Sequence, residues 1–247
     1  MRRRVGRILL GALAAGASAV LIIGTSAASM AKPTMVRPGV RGPVIVTTSQ
    51  AGYVAVGQHF RFVTTTVQVP PKAGYVHYAE VVLGGHAVIP ATLGVRAGGG
   101  SGSVLWNVVG PLGNMGGGTM KLAPKIGDWL MLSIYYNQRG RDYFTVSDLT
   151  QKVSRTLNLP APAHAVYTAA EVACLLPTAP SAPKADIRLW KFTKTGATTS
   201  SGARGSMYGP WTTRKIIDVA TGGRIVMSPW FLWNGGHNFG AWIRAAS

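Results

Sequence analysis

Cysteine, acid and helix signals are what this chain has least of, and each shortage narrows the field. Cys174 is the only cysteine among 247 residues, so no intramolecular disulfide exists and no paired thiolates can hold a zinc ion. The five histidines (59, 77, 86, 164 and 237) are dispersed and form no His-Glu-x-x-His pattern, so no metal site and no cofactor is expected. Acidic residues number seven against 25 Lys+Arg, and only two of them, Glu80 and Glu171, are glutamates. Seven carboxylates leave little choice for a two-carboxylate glycosidase; Glu80 with Glu171 stays open as such a pair, without support from their spacing. Gly98-Gly99-Gly100-Ser101-Gly102-Ser103 lacks the Lys-Ser/Thr of a phosphate loop and the spacing of a nucleophile elbow, which leaves a flexible turn. The mature chain carries no amphipathic helical period.

What is present reads as β-structure. Glycine (32) and proline (15) are frequent, and charged residues make up only 13%. Residues 1–31 form an export signal: Arg2, Arg3, Arg4 and Arg7, an uncharged run from Ile8, then Ser29-Met30-Ala31 before Lys32. Left uncut, residues 8–28 would anchor the chain in a membrane, its one route to a bilayer. Cleavage leaves 21 basic against seven acidic residues, a net charge of +14. A secreted protein of that charge meets anionic cell-envelope polymers rather than nucleic acid. Residues 32–43, with three prolines and two glycines, read as an irregular linker, and 44–247 as a single, monomeric domain.

Within that domain short apolar runs alternate with turn signals: Gly52–Val56, Phe60–Val69, Val76–Leu83, Val104–Val109, Met120–Ala123, Ala185–Thr193 and Arg214–Val219. The hairpin Trp129–Asn137 and Tyr143–Thr150 has a first arm apolar on both faces, which predicts a doubly covered central strand. The spacing as a whole predicts a sandwich or barrel. The aromatic-rich end (Trp230, Phe231, Trp233, Phe239, Trp242) either closes the core or lines a recognition patch.

Residues 165–176 form an apolar strand with one carboxylate in its middle. Alternation puts Glu171 on a face with Tyr167, Ala169 and Ala173, and Cys174 on the other face as a small buried hydrophobe. A lone carboxylate there is either an edge charge facing water or a group that is used.

From about Ser49 to Ser201, with a weaker tail to Trp242, the chain resembles the eqolisins, or glutamic peptidases. The resemblance rests on Gly52-Tyr53-Val54-Ala55, Phe60 through Val69-Pro70, Val81-Val82-Leu83-Gly84-Gly85, Leu105-Trp106 with Pro111, Gly127-Asp128, Phe144 to Thr150, Ala170-Glu171, Ala185-Asp186 and Lys191-Phe192-Thr193, in family order. It implies an all-β, concanavalin A-like, two-sheet antiparallel β-sandwich of jelly-roll type. It also implies a polypeptide substrate, with Glu171 as general base on the attacking water and Trp106 as the one kept cleft tryptophan. The family's glutamine, donor to the oxyanion, falls at Thr92 or Leu93 here. Loss of one such donor costs about 3–4 kcal/mol of transition-state stabilisation, unless the Thr92 hydroxyl substitutes for it. The cleft motif at Glu80–Gly85 lacks the family's Trp and Asp, and Val172 replaces the aromatic after the glutamate. By position, none of Gln50, Gln58, Gln68, Gln138 or Gln151 is expected in the site. Two functions follow: a divergent, acid-acting endopeptidase, or a pseudoenzyme that binds envelope polymers or carbohydrate.

Overall fold

The computed structural model describes residues 44–47, 49–71, 76–85, 88–97, 103–110, 113–161, 165–176, 187–220 and 223–244. For 85, 88–90, 97, 103–110 and 113–116 that description is of the backbone alone. The expected export segment at 1–31 and the expected linker at 32–43 lie outside the described residues.

Every regular element among the described residues is a strand. In chain order they are β1 (Ile45–Thr47), β2 (Gln50–Gln68), β3 (His77–Gly85), β4 (Val88–Ala97), β5 (Ser103–Gly110) and β6 (Gly113–Met120). The hairpin arms are β7 (Trp129–Tyr136) and β8 (Arg141–Asp148), followed by β9 (Val153–Pro160) and β10 (Tyr167–Leu175). The chain closes with β11 (Ile187–Thr199), β12 (Arg204–Gly205), β13 (Thr212–Val219), β14 (Ile225–Pro229) and β15 (Phe239–Ile243).

β2 holds the architecture together. Its first half lies between β10 and β13, its second half between β7 and β11. One layer therefore runs β6-β5-β4-β3-β10-β2-β13, and the other runs β9-β8-β7-β2-β11-β15-β14. Pairing of β13 with β14 joins the two at the far side. The two runs expected at Gly52–Val56 and Phe60–Val69 are thus one strand, bent where Gly57, Gln58 and His59 are exposed and Gly57 has φ +86°. Apart from β1 with β13, the pairings are antiparallel. This is the antiparallel β-sandwich that the sequence predicts.

The core fills from alternate residues of each layer, as strand geometry demands. Val81, Leu83, Leu93 and Val172 meet Leu130, Leu132, Ile134 and Phe144, all wholly buried. Only one face of β7 takes part. Its other face, with half-buried Trp129 and Met131 and exposed Tyr135, is not covered by a further layer as the sequence pattern predicts. Those apolar residues serve the outer surface instead: Lys191 Nζ sits 5.9 Å from the Trp129 ring, and Tyr135 lies against Tyr143. The strand expected at Met120–Ala123 is displaced to Gly113–Met120, where backbone pairing with β5 recruits a glycine-rich run that shows no side-chain alternation.

β10 departs from simple alternation at its start. Tyr167 pairs with Phe60 and Ala169 with Val56, so β2 bulges by two residues between these pairs. The bulge turns Tyr167 into the core, where its hydroxyl donates to Asp142 Oδ2 at 2.6 Å. Tyr167 accordingly does not share a face with Glu171, contrary to the strict period of two.

Candidate active site

Beyond the bulge, β10 is regular and packed on both sides. Glu171 stands opposite Val54 of β2 and Val82 of β3, and Ala173 stands opposite Gly52 and Glu80. Residues directly opposite share a face, so Glu171, Glu80 and Gln50 all project from the side of the layer that faces away from the core. Cys174 projects to the other side and is buried in the core, as its position in the alternation requires. On β4, Thr92 pairs with Val82 and joins the Glu171 side, whereas Leu93 pairs with Val81 and is wholly buried in the core. Of the two positions the resemblance offers for the missing glutamine, Thr92 is the one beside the carboxylates.

Small residues make the room. Gln50, Glu80, Thr92 and Glu171 line one cavity of about 270 Å³, floored by Ala169, Val82 and Gly84. A Cβ on Gly52 would come within 2.3 Å of the Val172 carbonyl oxygen and 2.8 Å of the Ala173 Cβ. Gly52→Ala is therefore expected to push β10 from β2 and lower stability by about 1–3 kcal/mol, read as the urea midpoint. Ala173 does a second job. Being only a methyl group, it lets the Gln50 side chain cross β10 and donate from Nε2 to Glu80 Oε1 at 2.8 Å.

Both glutamates of the chain therefore meet in one cavity, which neither their spacing nor the surrounding pattern discloses. Glu80 is only 5% exposed, and burial pushes its carboxyl up to about 7, against the opposing effect of the Gln50 amide. Glu171 is pushed up to about 8, by burial first and then by the negative charge of Glu80. Its Oε1 is buried without a hydrogen-bond partner. Two carboxylates this close do not both ionise readily, so over a range of pH the pair carries one proton. Thr92 lies two strands from Glu171, roughly 10 Å away along the sheet, which leaves space between them for a planar peptide group.

Trp106 stands on β5 at the register position of Leu93, and Asn107 at that of Thr92; the Trp106 side chain is outside the described residues. No group of three His, Cys, Asp or Glu side chains is placed to hold a metal among the described residues. Sequence reasoning missed Gln50 as a site residue. The usable signal was its parity: it lies an even number of residues before Val54, the register partner of Glu171.

No family model matches the chain, and no curated protein sequence does. Among solved structures the chain is similar to scytalido-glutamic peptidase with a transition state analog inhibitor, at a TM-score of 0.63 and 14% identity, covering 81% of this chain and 98% of that one. It is also similar to SCP-B, a member of the eqolisin family of peptidases, in a complex with the tripeptide Ala-Ile-His (TM-score 0.56, 14% identity, 81% and 98% covered). A third is aspergilloglutamic peptidase from Aspergillus niger (TM-score 0.51, 16% identity, 68% and 99% covered). The fold is thus that of the glutamic peptidases, over nearly their whole length.

Proposed function

We propose that the protein is an exported hydrolase of peptide bonds, with Glu171 as the general base. The observation that carries this reading is Glu171 itself: a half-buried glutamate whose Oε1 is buried without a hydrogen-bond partner, at the edge of a cavity, in a glutamic-peptidase fold. Ionised Glu171 takes a proton from water as the water oxygen bonds to the peptide carbonyl carbon. The Thr92 hydroxyl faces the opposite side of the cavity and donates to the carbonyl oxygen as it gains charge, in place of an amide. A neutral hydroxyl in that role predicts slow turnover.

The experiment is cleavage of an unfolded polypeptide by the full-length chain, from about pH 3 to about pH 9, with Glu171→Gln as the control. Equal cleavage by both proteins, or none by either, ends the proposal. The substrate is polypeptide, and the setting is the cell exterior or envelope, as the basic export segment and the net +14 of the remainder suggest.

A second reading rests on a different surface. Trp230, Phe231, Trp233 and Trp242 form a chain of rings 5.0 to 6.4 Å apart, and Phe231 is 67% exposed. Phe239, by contrast, is wholly buried and stacked on Phe192, so the aromatic-rich end is divided between core and surface. The exposed rings suit stacking against sugars of an envelope polymer. Retention on insoluble envelope polysaccharide that survives Phe231→Ala with Trp230→Ala would dismiss it.

A further inference from the structure

We propose that Glu80 is the second catalytic carboxylate, the acid that gives its proton to the departing amine, and that Gln50 is the positioning residue that sets where this proton sits. The inference rests on the reading of Glu171 as base. It assigns the cavity a carboxyl–carboxylate pair where the resemblance implies a glutamate with a glutamine.

The geometry is specific. Glu80 and Glu171 are diagonal cross-strand neighbours on β3 and β10, a placement that brings long side chains within reach of one another. Glu80 is more than nine-tenths buried, and one of its oxygens, Oε1, is committed to the Gln50 amide. An oxygen that accepts an N–H bond is the carbonyl-like oxygen of a protonated carboxyl, which leaves the proton to Oε2. A carboxyl without such a partner would distribute its proton over both oxygens. Gln50 reaches Glu80 only because Ala173 lies between them on β10.

The step balances with water as the sole co-reactant. The Glu171 carboxylate takes one water proton while the water oxygen forms its bond to the carbonyl carbon and the carbonyl electron pair moves onto oxygen. As that pair returns, the carbon–nitrogen bond breaks and Glu80 Oε2 gives its proton to the nitrogen. A carboxylic acid and an amine leave, with Glu171 protonated and Glu80 ionised. Return of the proton from Glu171 to Glu80 restores the site.

The groups that face this pair are few. β2 contributes Gln50, β4 contributes Thr92, and Arg214 on β13 shares the face one strand beyond β2, opposite Val54. Asp218 on β13, Tyr78 on β3 and Arg96 on β4 share it farther along the strands. Among the described residues no cation bonds to either glutamate, so Glu80 is set by burial against the Gln50 amide, and Glu171 by burial and the Glu80 charge.

Because the chain has two glutamates in all, labelling with [13Cδ]glutamate gives two carboxyl resonances, and Glu80→Gln assigns them. In the full-length protein the Glu171 midpoint is expected to move down by half a pH unit or more in Glu80→Gln. The same variant is expected to lose at least about a hundredfold in kcat with KM little changed, the scale of a lost general acid. Gln50→Ala, which keeps both carboxyls and guards against a misfolded Glu80 variant, is expected to move the Glu80 midpoint up. Wild-type kcat in Glu80→Gln, with the Glu171 midpoint in place, overturns the inference and leaves the peptidase reading standing if Glu171→Gln is inactive. A wild-type protein inert at every pH overturns both.

Discussion

Cleavage by the full-length protein is expected to be fastest close to about pH 7.5, and about a thousandfold slower at pH 4. The resemblance implies work in acid, but the site places its carboxyls elsewhere. A base must be ionised and an acid protonated, so the active form of the Glu80–Glu171 pair holds one proton. One-proton pairs prevail between two steps: burial raises Glu80 to about 7, and burial with the Glu80 charge raises Glu171 to about 8. The proton therefore rests mostly on Glu171, and the active arrangement, with the proton on Glu80, is the minor one-proton form. Below the first step it falls tenfold per pH unit, since both carboxyls are protonated and no base remains. Above the second, both are ionised and no acid remains. Glu171→Gln removes the base at every pH and is expected to lower kcat by about a hundred- to ten-thousandfold. Initial rates at steady state across the range decide the matter. An optimum below about pH 4 would show that bound substrate or an altered cavity returns the pair to ordinary carboxyl behaviour, and would sink the proton-sharing account.

The parts of this molecule that follow the period of two were legible in the sequence. Leu130, Leu132 and Ile134 alternate into the core, Cys174 falls opposite Glu171, and the turn signals delimit β3, β5, β7, β8 and β13 to within a few residues. β6 was displaced because its glycines pair through backbone groups, which leave no trace in side-chain polarity. Tyr167 was misplaced because a bulge resets the phase of a strand, and the exposed Gly57-Gln58-His59 that cause it read as a turn. The covering of β7 was overestimated because apolar residues also serve outer surfaces, as Trp129 does beneath Lys191.

The site divides along a different line. Glu171 stood out locally, as a carboxylate inside an apolar strand. Thr92 over Leu93 was a question of parity that only the register of β4 against β3 answers. Glu80 and Gln50 reach the cavity through the order of strands, with β10 inserted between β2 and β3 although 82 residues separate Gly85 from Thr168 by number. Sequence distance holds no information about that insertion. The choice of Ala173 and Gly52 between them becomes intelligible only when the crossing of the Gln50 side chain is seen.

Stability should also depend on these carboxyls, and in the opposite sense to that of most proteins. A carboxyl whose folded pKa lies above its unfolded value stabilises the fold fully below the unfolded value, and that contribution is lost as pH rises through the folded one. Glu80 and Glu171 rise from 4.5 to about 7 and about 8, and Asp142 from 3.8 to about 6, all chiefly by burial. His77 acts the other way. It is wholly buried with neither ring nitrogen hydrogen-bonded, and burial holds it down to about 4. Its contribution is present above its unfolded value of 6.5 and is lost as pH falls through about 4. Because three carboxyls outweigh one imidazole, stability is greatest below about pH 4.5 and is already falling at pH 5. Each carboxyl between its two pKa values costs about 1.4 kcal/mol per pH unit, and His77 offsets part of this up to pH 6.5. The net loss from pH 5 to pH 8 is then roughly 3–6 kcal/mol, a large share of what holds a domain folded. Urea unfolding at several pH values measures it, and Glu80→Gln with Glu171→Gln is expected to remove most of the alkaline loss. A wild-type midpoint that stays level from pH 5 to pH 8 would mean that both glutamates ionise without penalty, in a cavity wet enough to solvate them.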